Sequence, residues 1–70
     1  MSITYVVETM VDGQKGIPFI ETKLSEAMKL ANAFCDCSDE VEIVKLLGGK
    51  EQGRMPFNMY TCRPHHVGFR

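Results

Sequence analysis

The residues KLSEAMKLANAFC (23–35) break the pattern of the chain around them. Before and after this stretch, apolar residues alternate with polar ones, whereas within it they recur every three or four positions. That spacing predicts an amphipathic helix with one buried face. Thr22 and Ser25 are both suitable residues to cap its start, and the sequence does not choose between them. The predicted buried stripe is Leu24, Ala27, Met28, Ala31, Phe34 and Cys35.

Four segments around the helix are predicted to be strands, because their apolar residues alternate and many of them are β-branched. They are residues 3–11, 17–22, 41–47 and 55–62. The glycine-containing runs DGQKG (12–16) and GGKEQGR (48–54) are predicted to be a turn and a loop. The element order is therefore ββαββ.

The expected fold class is α+β, with one helix on one face of a four-stranded antiparallel sheet ordered 2-1-3-4. Short turns predict two hairpins, and a right-handed crossover through the helix joins them. Pro18 and Pro56 lie in the second and fourth strands, which this order places at the sheet edges. A residue without an N–H is tolerated there.

Composition predicts a single small domain spanning residues 1–70, with 44% hydrophobic and 24% charged residues. No apolar run approaches the roughly 18 residues needed to span a membrane, and we see no signal peptide. Three cysteines, two of them at Cys35 and Cys37, favour reduced thiols over a disulfide framework. We therefore expect a cytoplasmic protein without membrane contact.

Charge is distributed unevenly along the chain. Residues 1–51 hold all nine acids and five lysines, a net charge of −4, while residues 52–70 hold three arginines and no acid. The sheet face away from the helix is predicted to expose apolar residues that nothing in the chain covers. Such a patch is typical of a partner surface. The predicted partner-binding residues are Tyr60, Arg63, Val6, Val44, Arg54 and Arg70, and a second choice is the acidic cluster Asp36, Asp39, Glu40 and Glu42.

Three other functions are suggested by the residue types. Cys35, Cys37, Cys62 and the two histidines have ligand chemistry suited to zinc, but one residue between paired cysteines is too few for a structural site. Cys62 near His65 suggests a nucleophile and base, but no oxyanion turn accompanies them. The arginines near Tyr60 and Phe69 are a thin basic patch for nucleic acid. We therefore expect no enzyme activity, no metal and no cofactor.

The runs GIPFIETKLSEAMKLANAF (16–34) and DEVEIVKL (39–46) resemble a strand–helix–strand unit of small phage inhibitor proteins. They are similar to the T7-type inhibitor of bacterial RNA polymerase, with the helix entry at 24–27, and to short anti-CRISPR proteins that block type I surveillance complexes. The arginines of the polymerase inhibitor have no counterpart here, because that position has the sequence KLLGG (45–49).

This resemblance implies a non-catalytic inhibitor that binds a bacterial host protein complex and occludes its nucleic-acid path. Residues 3–47 carry the resemblance, and the target is either the polymerase or the CRISPR complex. The alternative is a small nucleic-acid-binding or regulatory module. Dimerisation through the uncovered sheet face is a further expectation, because it would enlarge a small core.

Overall fold

A computed structural model describes residues 2–66 and 68–70 of the chain. The described residues form an antiparallel sheet with one α-helix packed on one face, so the α+β class is confirmed. The elements are β1 (Ile3–Val11), β2 (Gln14–Lys15), β3 (Phe19–Glu21), α1 (Leu24–Phe34), a 3-10 turn (Cys35–Cys37), β4 (Glu40–Leu47), β5 (Lys50–Asn58) and β6 (Arg63–Pro64).

The sheet has six strands in the order β2-β1-β4-β5-β6, with β3 also paired to β1. The predicted four-stranded sheet ordered 2-1-3-4 is therefore wrong in strand count and strand order. The predicted pairing of the first strand with the strand after the helix is present, since β1 and β4 pair from Ile3↔Leu47 to Met10↔Glu40. The additional strands arise at the two edges of this central pair.

At one edge, the predicted second strand is divided in two. β2 pairs with β1 at Met10↔Lys15, and β3 pairs with it at Val6↔Ile20, a register shifted by one residue. The interruption contains Pro18, which has no N–H to donate to a ladder. The edge strand is therefore two short pieces, and Ile17 between them is 78% exposed.

At the other edge, β5 begins and ends earlier than predicted. It begins at Lys50, inside the predicted loop. It ends at Asn58, because the Asn58 side-chain oxygen accepts hydrogen bonds from the backbone N–H groups of Tyr60 and Thr61. These bonds close a turn where a strand was expected. The chain then returns as β6, paired with β5 at Phe57↔Pro64.

Pro56 was predicted on an edge strand, but β5 is paired on both sides. The backbone of Pro56 faces β6, where its carbonyl accepts the His65 N–H at 3.0 Å. The position at which Pro56 lacks an N–H therefore faces β6. The hydrogen-bond ladder between β4 and β5 lies on the other side and loses no donor.

The core lies between α1 and the inner face of the sheet. Ala27 and Ala31 are fully buried, and they pack against Val7, Ile43 and Met55 of the three central strands. The helical phase predicted from the apolar stripe is confirmed for Ala27, Ala31 and Cys35, whereas Leu24 at the start of the helix is 37% exposed. The N-cap residue is Lys23, which makes no side-chain capping bond, so neither predicted cap is used.

Residues 69–70 also join the sheet, along the same side of β5 as β6. Arg70 and Arg54 exchange two backbone hydrogen bonds, at 2.7 and 3.0 Å. The preceding Phe69 lies 5.8 Å from the ring of Tyr5. Gly53 permits this close crossing, because a Cβ added there would come within 2.9 Å of the Phe69 Cβ.

Candidate functional site

The sheet face away from α1, here called the open face, carries alternate residues of the central strands. Since Val7, Ile43 and Met55 point to the helix, their neighbours along each strand point the other way. The resulting open-face residues are Val6, Glu8 and Met10 on β1, Glu40, Glu42 and Val44 on β4, and Arg54 and Pro56 on β5. Val6 and Val44 form an apolar pair with Arg54 opposite Val44, and the charged end beside them contains Glu8, Glu40 and Glu42 together with Met10 and Pro56.

Two carboxylates oppose each other at the centre of the charged end. Glu8 pairs with Glu42 across β1 and β4, an arrangement that is unfavourable for like charges unless a cation lies between them. Arg54 of β5 provides that cation. Its Nη1 donates to Glu8 Oε1 at 3.2 Å and also to Glu42 Oε1.

A third carboxylate reaches the same guanidinium because of a β-bulge. Lys45 pairs with Gly53 while Leu46 pairs with Glu51, so Gln52 is an extra residue in β5. The bulge brings Glu51 to the open face, where its two oxygens accept from Arg54 Nε at 3.0 Å and from Nη2 at 2.8 Å. These bonds raise the pKa of Arg54 and lower the pKa of Glu51.

A groove of about 320 Å³ lies over this part of the open face. Its carboxylates are Glu8, Glu40 and Glu42, and its cations are Lys15 and Arg54. Other lining residues are Thr9, Met10, Gly16, Pro18, Val41, Pro56, Phe57 and His65. The groove combines negative charge with apolar side chains, which suits a partner side chain that has an aliphatic stem and a positive end.

More acids lie next to the groove at the β1–β2 turn. The Asp39 N–H donates to the Met10 carbonyl at 2.7 Å, and Asp39 Oδ2 accepts the Asp12 N–H at 2.7 Å. Of the predicted acidic cluster, the structure thus brings Glu40, Glu42 and Asp39 to one end of the open face. Asp36 lies apart from them, in the 3-10 turn after α1.

The residues of the first-choice partner surface are distributed over different parts of the fold. Val6 and Val44 are paired on the open face, but Val44 is only 4% exposed. Arg54 already forms salt bridges with three carboxylates. Tyr60 is 99% exposed in the turn after β5. Four strand residues, roughly 13 Å, separate Arg54 from the start of that turn.

Arg63 and Arg70 lie at the β6 edge of the sheet. Both are exposed, and among the described residues neither side chain has a salt-bridge partner. Register places Arg63 opposite Asn58, on the side of the open face. These two arginines therefore form a small basic edge, separate from the acidic groove.

Glu8, Glu51 and Lys15 belong to the site although they were not among the predicted binding residues. Alternation along residues 3–11 predicts that Glu8 shares a face with Val6, but it does not predict the pairing of Glu8 with Glu42. Strand alternation does not predict the position of Glu51, because the bulge at Gln52 shifts it to the open face. Lys15 was assigned to a turn.

Within residues 2–66 and 68–70, no three His, Cys, Asp or Glu side chains are grouped so that they could hold a metal ion. Cys35 is buried, Cys37 is exposed and Cys62 is half-buried. His65 lines the groove, whereas Nδ1 of His66 is buried without a hydrogen-bond partner among the described atoms. In the same part of the chain, no helix has the length and apolarity required to cross a membrane.

No protein-family model matches this chain, and no curated protein or solved structure is significantly similar to it.

Proposed function

We propose that this protein is a non-catalytic inhibitor that binds a basic surface of a bacterial protein machine and occludes its nucleic-acid path. The observation that supports this proposal is the acidic groove, in which Glu8, Glu40 and Glu42 of two neighbouring strands face the same side. A surface that binds nucleic acid is rich in lysine and arginine, so carboxylates are complementary to it.

The groove favours contact through its carboxylates over contact through the apolar residues of the open face. Val44 is already buried by its own neighbours and offers little area to a partner. Glu40, in contrast, is exposed and makes no hydrogen bond or ion pair with the described side chains. Its charge is therefore available to a partner without breaking an internal contact.

The resemblance to phage inhibitors supplies the class of target. RNA polymerase and a type I CRISPR surveillance complex both hold nucleic acid in basic channels, and a small acidic module can compete for such a channel. The two remain equal candidates, since the groove chemistry fits a basic surface in either.

A second function, direct binding of nucleic acid, is supported by Arg63 and Arg70 at the β6 edge. Two arginines provide few phosphate contacts, and the adjacent groove repels phosphate through its carboxylates. This function therefore requires the basic edge to act alone, with Tyr60 as a stacking residue.

The test uses purified bacterial RNA polymerase and a purified type I surveillance complex, each bound to labelled DNA. The wild-type chain is expected to displace DNA from one of them. Glu40→Lys should weaken displacement roughly tenfold or more, because it reverses a charge at the interface. Asp36→Lys is the matched control, since it makes the same change outside the groove.

Two further variants separate the alternatives. If Tyr60→Ala or Arg63→Ala weakens displacement and Glu40→Lys does not, the first-choice surface binds the target and the groove does not. If the chain displaces DNA from neither complex but binds labelled DNA directly, with Arg63→Ala reducing that binding, the nucleic-acid function replaces the inhibitor function.

A further inference from the structure

Two cysteines that are distant in sequence meet between the helix and the turn after β5. Cys35, at the start of the 3-10 turn, is 6% exposed, and the neighbouring Cys62 thiol is one of the groups that raise the pKa of its own thiol. Asn32, one helical turn earlier, donates from Nδ2 to the Cys62 carbonyl at 3.3 Å. Side-chain and backbone contacts thus hold Cys62 against the end of α1.

The backbone of Cys62 is held in an unfavourable conformation. Its φ is +57°, in the left-handed region where glycine is normally used because it has no Cβ. The Cys62 N–H donates to the Asn58 carbonyl at 2.8 Å and closes the turn. Glycine would form this turn with less strain, so the presence of a thiol side chain suggests a role beyond the turn itself.

We propose that Cys35 and Cys62 are a redox-active dithiol, which forms an intramolecular disulfide by exchange with a small-molecule disulfide such as oxidised glutathione. In the first step, the Cys62 thiolate attacks one sulfur of oxidised glutathione, the glutathione S–S bond breaks, and one glutathione leaves as a thiolate and takes up a proton. In the second step, the Cys35 thiolate attacks the Cys62 sulfur of the mixed disulfide and releases the second glutathione.

The balance is two protein thiols and one oxidised glutathione giving one protein disulfide and two reduced glutathiones. The two protein sulfurs lose two electrons, and the glutathione sulfurs gain them. The half-buried Cys62 is the accessible thiol of the pair, so it reacts first, and the buried Cys35 resolves the mixed disulfide. The product connects the end of α1 covalently to the turn that carries Tyr60.

The second step is expected to depend on pH. Burial, the neighbouring Cys62 thiol and the charge of Asp36 raise the pKa of the Cys35 thiol to about 11, and burial, the largest of these causes, still acts when Cys62 is in the mixed disulfide. The thiolate is the attacking species, so its fraction rises about tenfold for each pH unit between 7 and 9. Mixed disulfide should therefore accumulate at pH 7 and convert more rapidly at pH 8.5.

Cys37 provides an internal comparison. It is exposed, and its thiol contacts the Phe34 carbonyl at 3.6 Å. A single residue separates it from Cys35, so a Cys35–Cys37 bridge would close a strained ring. The proposal therefore predicts that Cys37 reacts with glutathione but does not form the stable intramolecular bridge.

The experiment uses the reduced full chain, incubated with oxidised glutathione under native conditions and then alkylated. Peptide mapping by mass spectrometry should find a Cys35–Cys62 link, and the linked protein should melt about 10 °C or more above the reduced protein. Cys37→Ser should keep both results. Cys62→Gly, which suits the left-handed backbone and removes the thiol, should lose both.

Peptide mapping of the wild-type chain tests the proposed Cys35–Cys62 disulfide without any variant. A Cys35–Cys37 link, or glutathione adducts on Cys62 that never resolve at pH 8.5, would overturn the proposal. So would a Cys35–Cys62 link that forms only in denaturant. These results do not bear on the acidic groove, because neither Cys35 nor Cys62 is among its lining residues.

Discussion

At the scale of single residues, Arg54 decides how the open face is organised. It compensates the charges of Glu8 and Glu42, which would otherwise repel each other across β1 and β4. Glu51 then completes a network in which one guanidinium has three carboxylate partners. A network of this kind contributes more than an isolated exposed ion pair.

Replacing Arg54 with methionine should destabilise the protein by about 1–2 kcal/mol at pH 7, since it leaves opposed carboxylates without a cation. Methionine retains an apolar stem next to Val44, so the change isolates the charge. Urea unfolding measures the effect. Arg63→Met, an exposed arginine without a salt bridge among the described residues, should change the unfolding free energy by less than about 0.5 kcal/mol. Equal effects would mean that the network adds nothing.

The same network predicts how stability depends on pH. The hydrogen bond from Arg54 lowers the pKa of Glu51 below its usual value of 4.5. A carboxyl group with a depressed folded pKa stabilises the protein above the unfolded pKa, and that contribution is lost as pH falls through the folded pKa. Wild type should therefore lose stability below about pH 4.5 more steeply than Arg54→Met. Thermal melts between pH 6 and 3 provide the comparison, and parallel curves would contradict the expectation.

Gly53 determines whether the end of the chain can join the sheet. An alanine there would place its Cβ 2.9 Å from the Phe69 Cβ and 3.1 Å from the Arg70 nitrogen. Gly53→Ala should therefore displace Phe69 and Arg70 and break their pairing with β5. Hydrogen exchange at the Arg54 and Arg70 amides should become faster, and Gln52→Ala, an exposed neighbour, should leave it unchanged. Unchanged exchange in Gly53→Ala would show that the chain end moves without losing its bonds.

At the scale of elements, α1 stabilises the fold through one face. Phe34 is half-buried and its ring lies 5.0 Å from that of Phe19 on β3. Phe34→Ala should cost about 2–4 kcal/mol, because it removes packing both from the core and from the edge strand. Lys29→Ala should be nearly silent, since that side chain is 76% exposed. Chemical denaturation of both variants tests the helical phase, which would be wrong if the two losses were similar.

Periodicity was sufficient to predict α1, β1 and β4, because their apolar residues follow the helical or strand period over their full length. It failed where a single local interaction ends or shifts a strand. The Asn58 side chain closes a turn that alternation cannot reveal, and the bulge at Gln52 reverses which residues face outward. Residues 48–54 were predicted to be a loop from their glycine content, but they are partly strand because β5 begins at Lys50.

At the scale of the whole molecule, the sequence predicted charge separation but not the groove. The acids of residues 1–51 lie on several strands, and only the β1–β4 register brings Glu8 next to Glu42. Long-range register depends on packing of the entire sheet, so residue spacing alone does not give it. The basic edge with Arg63 and Arg70 lies beside the groove, which gives the open face two regions of opposite charge.

We expect the protein to fold without a metal. The residues of the core cluster are apolar and come from α1, β1, β4 and β5, so we expect hydrophobic packing to hold them together. Chelation should therefore leave the circular dichroism spectrum and the melting temperature unchanged, in contrast to small zinc domains, which unfold when the metal is removed. Elemental analysis of the purified protein provides the independent measurement. One zinc ion per chain, together with a lower melting temperature in chelator, would show that the cysteines bind metal and would also remove the thiols needed for the proposed disulfide.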